Sequence, residues 1–347
     1  MRISCRSIEL VKRHPLAISR GTTARTRSLL VRVEQDGVEG WGEAAPVSIG
    51  WGSEDADSSA RDLQRWAPLL EDCAPWEMQR VEARVDSSPG GRAARAALEM
   101  ALHDWLGRRT GLPVWRLLGA DLDRVPSTSL TVGILSPGEA ARRARELQAA
   151  GARCLKIKMG SPKGIAADRA MLAAVRQAVG PDMALRVDAN GGWCVRGCRR
   201  MIPWLAEQGV ELVEQPLPAG QEARLREIGT DSPVPLFVDE SCRTAEDAAR
   251  LASLVHGVNL KLMKAGGIRE GLRLIHTARA HGLRVMIGCM SESSLGISAA
   301  AALGAFADFL DLDSHLNLAP DPFCGLRWEE GRVLPSLDPG LGVVPAA

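Results

Sequence analysis

A chain of 347 residues, 46% of them apolar, can bury one large barrel with an addition, or about two domains. Its formal net charge of +1 gives no field for nucleic acid or an acidic membrane surface. The start of the chain has no apolar core followed by a cleavage site, and no run of about eighteen apolar residues occurs, so a cytoplasmic protein without a membrane span is expected.

Eight cysteines are too dispersed for a disulfide scaffold and are expected to be reduced. Cys194 and Cys198 have metal-like spacing, but no second Cys/His pair supports zinc.

From Ile3 to Glu43 the pattern is strand-like. Ser28 to Glu34, a turn at Asp36-Gly37 and Val38 to Glu43 make a hairpin signal. Ala94, Ala97, Leu98, Ala101, Leu102 and Trp105 then recur at helical spacing before Gly111 and Pro113 stop the run. Residues 1–125 are expected to form a small α+β domain.

From Ser127 short apolar strands alternate with helices, with strands expected near 128–133, 153–158, 184–188, 210–214, 234–239, 257–262, 283–288 and 308–313. Eight strands with about seven helices suit a closed parallel barrel over 126–320, an α/β architecture, with an open doubly wound sheet as the alternative. No glycine-rich phosphate loop opens the first unit, which weakens that alternative.

Lys158, Asp188, Glu214, Asp239 and Lys264 each fall at the C-terminal end of an expected strand, one βα unit apart. In a barrel those ends converge on one mouth, where active sites are built. Burying five charged groups together is unfavourable unless they bind something. Asp188, Glu214 and Asp239 lie on consecutive strands, and all-oxygen ligation favours a hard divalent cation such as Mg²⁺. Carboxylates that merely cap the following helices are the structural alternative.

Only six lysines occur against thirty-seven arginines, and four of the six are Lys156, Lys158, Lys261 and Lys264. Lysine can lose its proton where arginine cannot. On strands two and six, Lys158 and Lys264 would face each other across the mouth. One could take the α-proton of a carboxylate substrate while the other returns a proton on the opposite face, through a metal-stabilised enediolate. Lys156 shares a strand face with Lys158 and would lower its pKa. Lys261 reads as support, or simply as the partner of a carboxylate.

These strings together, with Asp188-Ala189-Asn190, Glu214-Gln215-Pro216, Asp239-Glu240-Ser241, Lys264-Ala265-Gly266-Gly267, Trp41-Gly42-Glu43 and Pro339-Gly340-Leu341-Gly342, resemble the enolase superfamily, muconate-lactonising subgroup, over nearly the whole chain. The resemblance implies a (β/α)7β modified TIM barrel under an N-terminal α+β capping domain completed by the C-terminal segment, 321–347. It also implies one Mg²⁺ per subunit, with Glu240 among the supporting residues. Barrels of this kind are often homo-oligomers. The expected partner is a small molecule rather than nucleic acid or membrane.

Within the subgroup, muconate cycloisomerases, o-succinylbenzoate synthases, N-succinylamino acid racemases and dipeptide epimerases share these motifs. Asp311 and Asp313 on the eighth strand suit a substrate ammonium and would repel carboxylate arms. They resemble the Asp-x-Asp of dipeptide epimerases, unless one of them pairs with an arginine instead. Met290 and Glu292, in Gly288 to Ser293, resemble the same group and are candidate substrate contacts. Arg20, in an early loop that by resemblance overhangs the mouth, could hold the acidic side chain of L-Ala-D/L-Glu, or be a solvated hairpin charge. A noncatalytic metal-stabilised barrel is the non-enzyme alternative.

Overall fold

The structure, a computed structural model, describes residues 1–49, 52–229 and 231–346. Strands Arg2–Ile18, Gly21–Gln35 and Val38–Ala44 form an antiparallel meander. Its second turn is the expected one. Asp36 and Gly37 both have positive φ, 53° and 74°, and Gln35 pairs with Val38, the two-residue turn that matches strand twist.

Helix Arg92–Thr110 lies directly on the third strand. A Cβ at Gly40 or Gly42 would overlap the carbonyl oxygens of Ala101 and Ala97. The glycines of the Trp41-Gly42-Glu43 string therefore let two backbones approach, with Ala93, Ala94, Ala96, Ala97 and Ala101 buried on the helix side.

Eight parallel strands follow in sequential order: Ser129–Val132, Cys154–Lys158, Ala184–Asp188, Val210–Glu214, Leu236–Val238, Gly257–Leu260, Arg284–Gly288 and Phe309–Asp311. The first and last meet through a Thr128–Leu310 bridge, and the Leu312 amide donates to Thr128 Oγ1 at 2.7 Å. The sheet is thus a nearly closed barrel rather than an open one. Phe237 and Phe309 meet edge to face inside it at 5.5 Å, and the Arg186 guanidinium lies 4.8 Å from the Phe309 centroid. Phe237 is fully buried in the packed interior.

The structure differs from expectation at the sixth strand, at the fourth crossover, and at the eighth strand, which ends at Asp311 and leaves Asp313 beyond it. The sixth strand ends at Leu260, and Lys264 sits on a following helical turn, Leu262–Ala265, capped by the left-handed Gly266. The fourth crossover carries a six-residue 3-10 helix, Glu222–Glu227, where an α-helix was expected; Pro216, Pro218 and Gly220 crowd the segment before it.

Asp104 joins three parts of the chain. Its two carboxylate oxygens accept from the amides of Trp41 at 2.8 Å and Leu341 at 2.7 Å, so the helix holds both the third strand and the Pro339–Gly342 segment. Glu43 reaches across to the barrel, accepting from Ser293 and Gly296 at the start of helix Ser294–Ala301. Among the described residues no helix is long and apolar enough to cross a membrane, and the eight cysteines form no disulfide.

Candidate active site

Lys158, Asp188 and Glu214 are register partners on the second, third and fourth barrel strands, so their side chains leave one row of the sheet in the same direction. Lys158 Nζ donates to Asp188 Oδ2 at 2.6 Å, and Lys156 Nζ lies 3.8 Å from the same oxygen. Lys156 is 2% exposed and pairs also with Glu214 at 3.3 Å and, most closely, with Asp311. Burial pulls the Lys156 ammonium down, but Asp311, Glu214 and Asp188 outweigh it and hold its pKa well above the usual range. Lys156 is therefore a fixed positive charge.

Asp239 follows the fifth strand and meets both lysines of the sixth unit, Lys261 at 2.8 Å and Lys264 at 2.6 Å. Burial would raise its pKa, yet Lys261 and Lys264 hold it far below the usual carboxylate range. The Lys261 ammonium is correspondingly held up by Asp239 and Glu214 against burial. Lys264 Nζ also donates to the carbonyls of Asp239, Cys242 at 2.9 Å and Asn259 at 3.0 Å. With second-strand and sixth-unit lysines in a ring of eight, Lys158 and Lys264 approach the mouth from opposite sides.

The eighth-strand acids separate. Asp311 is 3% exposed, accepts from Ser129 Oγ at 2.6 Å and pairs with Lys156, so its partner is a lysine rather than an arginine. Lys156 and Lys158 hold its pKa down against burial. Asp313 is half-buried beyond the strand end and accepts the Thr131 amide at 2.6 Å; burial and then Asp311 push its pKa up.

Arg20 occupies the tip of the first hairpin, between strands Arg2–Ile18 and Gly21–Gln35. Its guanidinium pairs with Glu240 at 2.8 Å and donates to the Asn190 carbonyl at 2.8 Å. Ser19 Oγ reaches the same carbonyl at 3.0 Å. The hairpin thus overhangs the mouth, with its charge already matched. Glu240, buried, is pushed up by burial and by Asp239 and Asp188. Met290 is half-buried, and its amide donates to Glu292 Oε1 at 2.6 Å. Glu292 lies beside Glu43, and burial raises its carboxyl to about 8.

Two family models match the chain. One, described as mandelate racemase / muconate lactonizing enzyme, N-terminal domain, covers residues 3–119, and the other, enolase C-terminal domain-like, covers residues 139–347. A hydrophobic dipeptide epimerase of Roseobacter litoralis is 47% identical, over 99% of this chain and 99% of its own length. The chain belongs to the mandelate racemase / muconate lactonizing enzyme family of the enolase superfamily. Among solved structures, the substrate-liganded L-Ala-D/L-Glu epimerase of Bacillus subtilis aligns at TM-score 0.94 and 32% identity, over 100% of this chain and 99% of that one. A dipeptide epimerase of Enterococcus faecalis complexed with Mg and L-Leu-L-Tyr aligns at TM-score 0.92 and 32% identity, over 99% and 98%.

The family's barrel mouth here fits a hard divalent cation by the chemistry of its donors. Asp188, Glu214 and Asp239 are buried carboxylates on consecutive units, oxygen donors of the kind such a cation takes. Burial, then Asp188, pushes the Glu214 carboxyl up to about 7, with Asp239 adding to the repulsion. Asn190 Oδ1 and Asn259 Oδ1 are sealed from solvent and accept no hydrogen bond, so the layer carries acceptor capacity in excess. Among the described residues no three ligating side chains converge as a preformed cluster. The carboxylates turn to lysines instead, as the ion pairs above show.

Sequence reasoning missed Asn259, whose amide donates to Glu214 Oε1 at 2.6 Å. The two-residue strand period from Lys261 was the available signal. It also left Lys12 without a role. That residue, 9% exposed, donates to Ser291 Oγ at 2.6 Å beside the seventh-strand end, and burial lowers its pKa.

Proposed function

We propose that this family member is a Mg²⁺-dependent dipeptide epimerase, inverting the α-carbon of the C-terminal residue, with an apolar side chain favoured there. The observation that carries the reading is the placement of Lys158 and Lys264 on opposite sides of the mouth with Asp188, Glu214 and Asp239 between them. Full-length similarity to the Roseobacter litoralis enzyme supports the substrate class.

Asp188, Glu214 and Asp239 would hold Mg²⁺, which supplies positive charge for the substrate carboxylate and so acidifies the neighbouring α-hydrogen. One of Lys158 and Lys264 takes that proton and the other delivers one to the opposite face. Lys156 and Lys261, held charged by their carboxylates, keep the surrounding field positive. Asp313 meets the substrate's N-terminal ammonium, and Asp311 adds negative charge from behind. The Arg20 charge is already matched by Glu240, which favours an apolar over an acidic side chain in that part of the mouth.

The test is α-deuterium exchange in D₂O with Mg²⁺, using apolar L,L- and L,D-dipeptides beside N-succinyl amino acids. Exchange in both dipeptide epimers is expected. Exchange confined to the succinylated compounds would overturn the assignment.

A further inference from the structure

The segment bearing Lys264 is held from outside the barrel. Helix Arg92–Thr110 of the N-terminal region runs past the turn Leu262–Ala265 and the start of helix Ile268–Ala280. Arg92, Arg95 and Glu99 are spaced by three and four residues, so they share one face of it.

Arg92 Nη1 donates to the Ala265 carbonyl at 2.9 Å, one residue after Lys264. Glu99 Oε1 accepts the Arg269 amide at 2.8 Å, at the start of the next helix. Gly267 has φ 127°, and a Cβ there would overlap Glu99 Oε2, so the Glu99 carboxyl fills the space a side chain would occupy. A third tie lies alongside. Glu82 pairs with Arg95 at 3.1 Å, Arg269 at 3.2 Å and Arg273 at 2.8 Å. Between these groups is a cavity of about 20 Å³, room for a single water and no ligand, so the seam is mechanical rather than a binding site.

Lys264 itself has little slack. Its ammonium is 2% exposed and fixed by three carbonyls and Asp239. Lys158, by contrast, ends a continuous strand with neighbours in register on one side at Asp188. One amine is placed by sheet hydrogen bonds. The other stands on a four-residue turn whose far side touches the N-terminal region.

We propose that Arg92 and Glu99 are positioning residues for Lys264, so that the N-terminal helix sets the geometry of one of the two proton-transfer faces and not the other. The inference rests on the epimerase reading. It adds that damage at this seam acts on a single stereochemical direction.

The experiment measures initial α-deuterium exchange separately from each epimer of an apolar dipeptide, with Mg²⁺ in D₂O. Lys264→Ala first assigns which epimer depends on Lys264. Arg92→Met and Glu99→Ala are then read independently, beside Glu99→Gln, which keeps the acceptor for Arg269 and the bulk under Gly267. Displacement of a reacting group by about 1 Å costs up to about 100-fold, so a loss of about 10- to 100-fold is expected for the Lys264-dependent epimer. Exchange of the other epimer should stay within about twofold, and Glu99→Gln should restore the ratio.

Equal losses on both faces, or an unchanged ratio in both Arg92→Met and Glu99→Ala, would overturn the proposal. A wild-type protein that exchanges neither epimer would instead sink the epimerase reading.

Discussion

Replacing Asp311 by Asn asks whether the two eighth-strand acids do the same work. Asp311 is 3% exposed and is the nearest counter-charge to Lys156, itself 2% exposed. Asn keeps the size and an acceptor for Ser129 Oγ but removes the charge. Lys156 is left with Glu214 at 3.3 Å and Asp188 at 3.8 Å. Breaking a buried pair outright costs about 3–5 kcal/mol, and with two carboxylates remaining about 3 kcal/mol is the expected loss. An unfolding entropy of about 2.1 cal/mol/K per residue converts this, for a chain of this length, to about 4 °C in Tm. Asp313→Asn removes a half-buried charge that accepts the Thr131 amide, and Asn can still accept it. Its stability should change by less than about 1 kcal/mol, while KM for a dipeptide rises about tenfold or more, from loss of a charge-assisted contact. Thermal unfolding and steady-state kinetics of the two variants read both quantities. Asp311→Asn unfolding at the wild-type temperature, or Asp313→Asn losing equal stability, would refute the division of roles.

Lys158→Ala and Lys264→Ala should each abolish epimerisation while leaving exchange from the opposite epimer through the surviving amine; loss of exchange from both epimers in each variant would contradict two separate faces. Arg20→Met loosens the hairpin tip and should lower kcat/KM for apolar dipeptides by about 3- to 10-fold; a much larger loss confined to acidic dipeptides would show Arg20 to be a side-chain contact. Chelation should abolish exchange, and Mg²⁺ at about 100 times its Kd should stabilise the protein by about 2.7 kcal/mol. Glu214→Gln should blunt that shift; an unchanged shift would place the ion elsewhere. His103 is buried and its pKa is lowered to about 4 from 6.5, mainly by burial. Its contribution to stability is therefore full above about pH 6.5 and lost as pH falls toward 4, by up to about 3 kcal/mol. His103→Gln should lose less stability than wild type between those values, as read by denaturant unfolding; parallel curves would rule the residue out.

What was legible in the sequence was periodic. The eight strands appear where short apolar runs recur, and Lys158, Asp188 and Glu214 end theirs in one register row. Lys264 was harder, because the strand pattern runs on through Lys261 while the chain turns at Leu262, and only the Gly266-Gly267 pair marks the departure. The separation of Asp311 from Asp313 was not legible. It depends on how far Lys156 reaches across the barrel interior, a distance between strands two and eight that local spacing does not encode. The same holds for Arg20, whose partner Glu240 is brought near only by the hairpin's lean over the mouth. Glu43, read only as part of the Trp41-Gly42-Glu43 string, and Asp104, to which no sequence pattern assigned a role, prove to be fasteners between regions remote in sequence.

The ionisation of the mouth carries its own argument about what binds there. Asp239 and Asp311 are held down because each has a lysine in direct contact. Glu214 and Asp313 are pushed up, by burial first and then by the carboxylates beside them. A buried carboxyl raised in this way is stabilised by any added positive charge, and the two stand in different places. Glu214 lies in the row with Lys158 and Asp188, where Mg²⁺ is proposed, and Asp313 lies past the eighth strand, where a substrate ammonium is proposed. The uneven distribution, with Asp239 and Asp311 held down while Glu214, Asp313 and Glu240 are raised, is what a site expects when part of its positive charge arrives with its ligands.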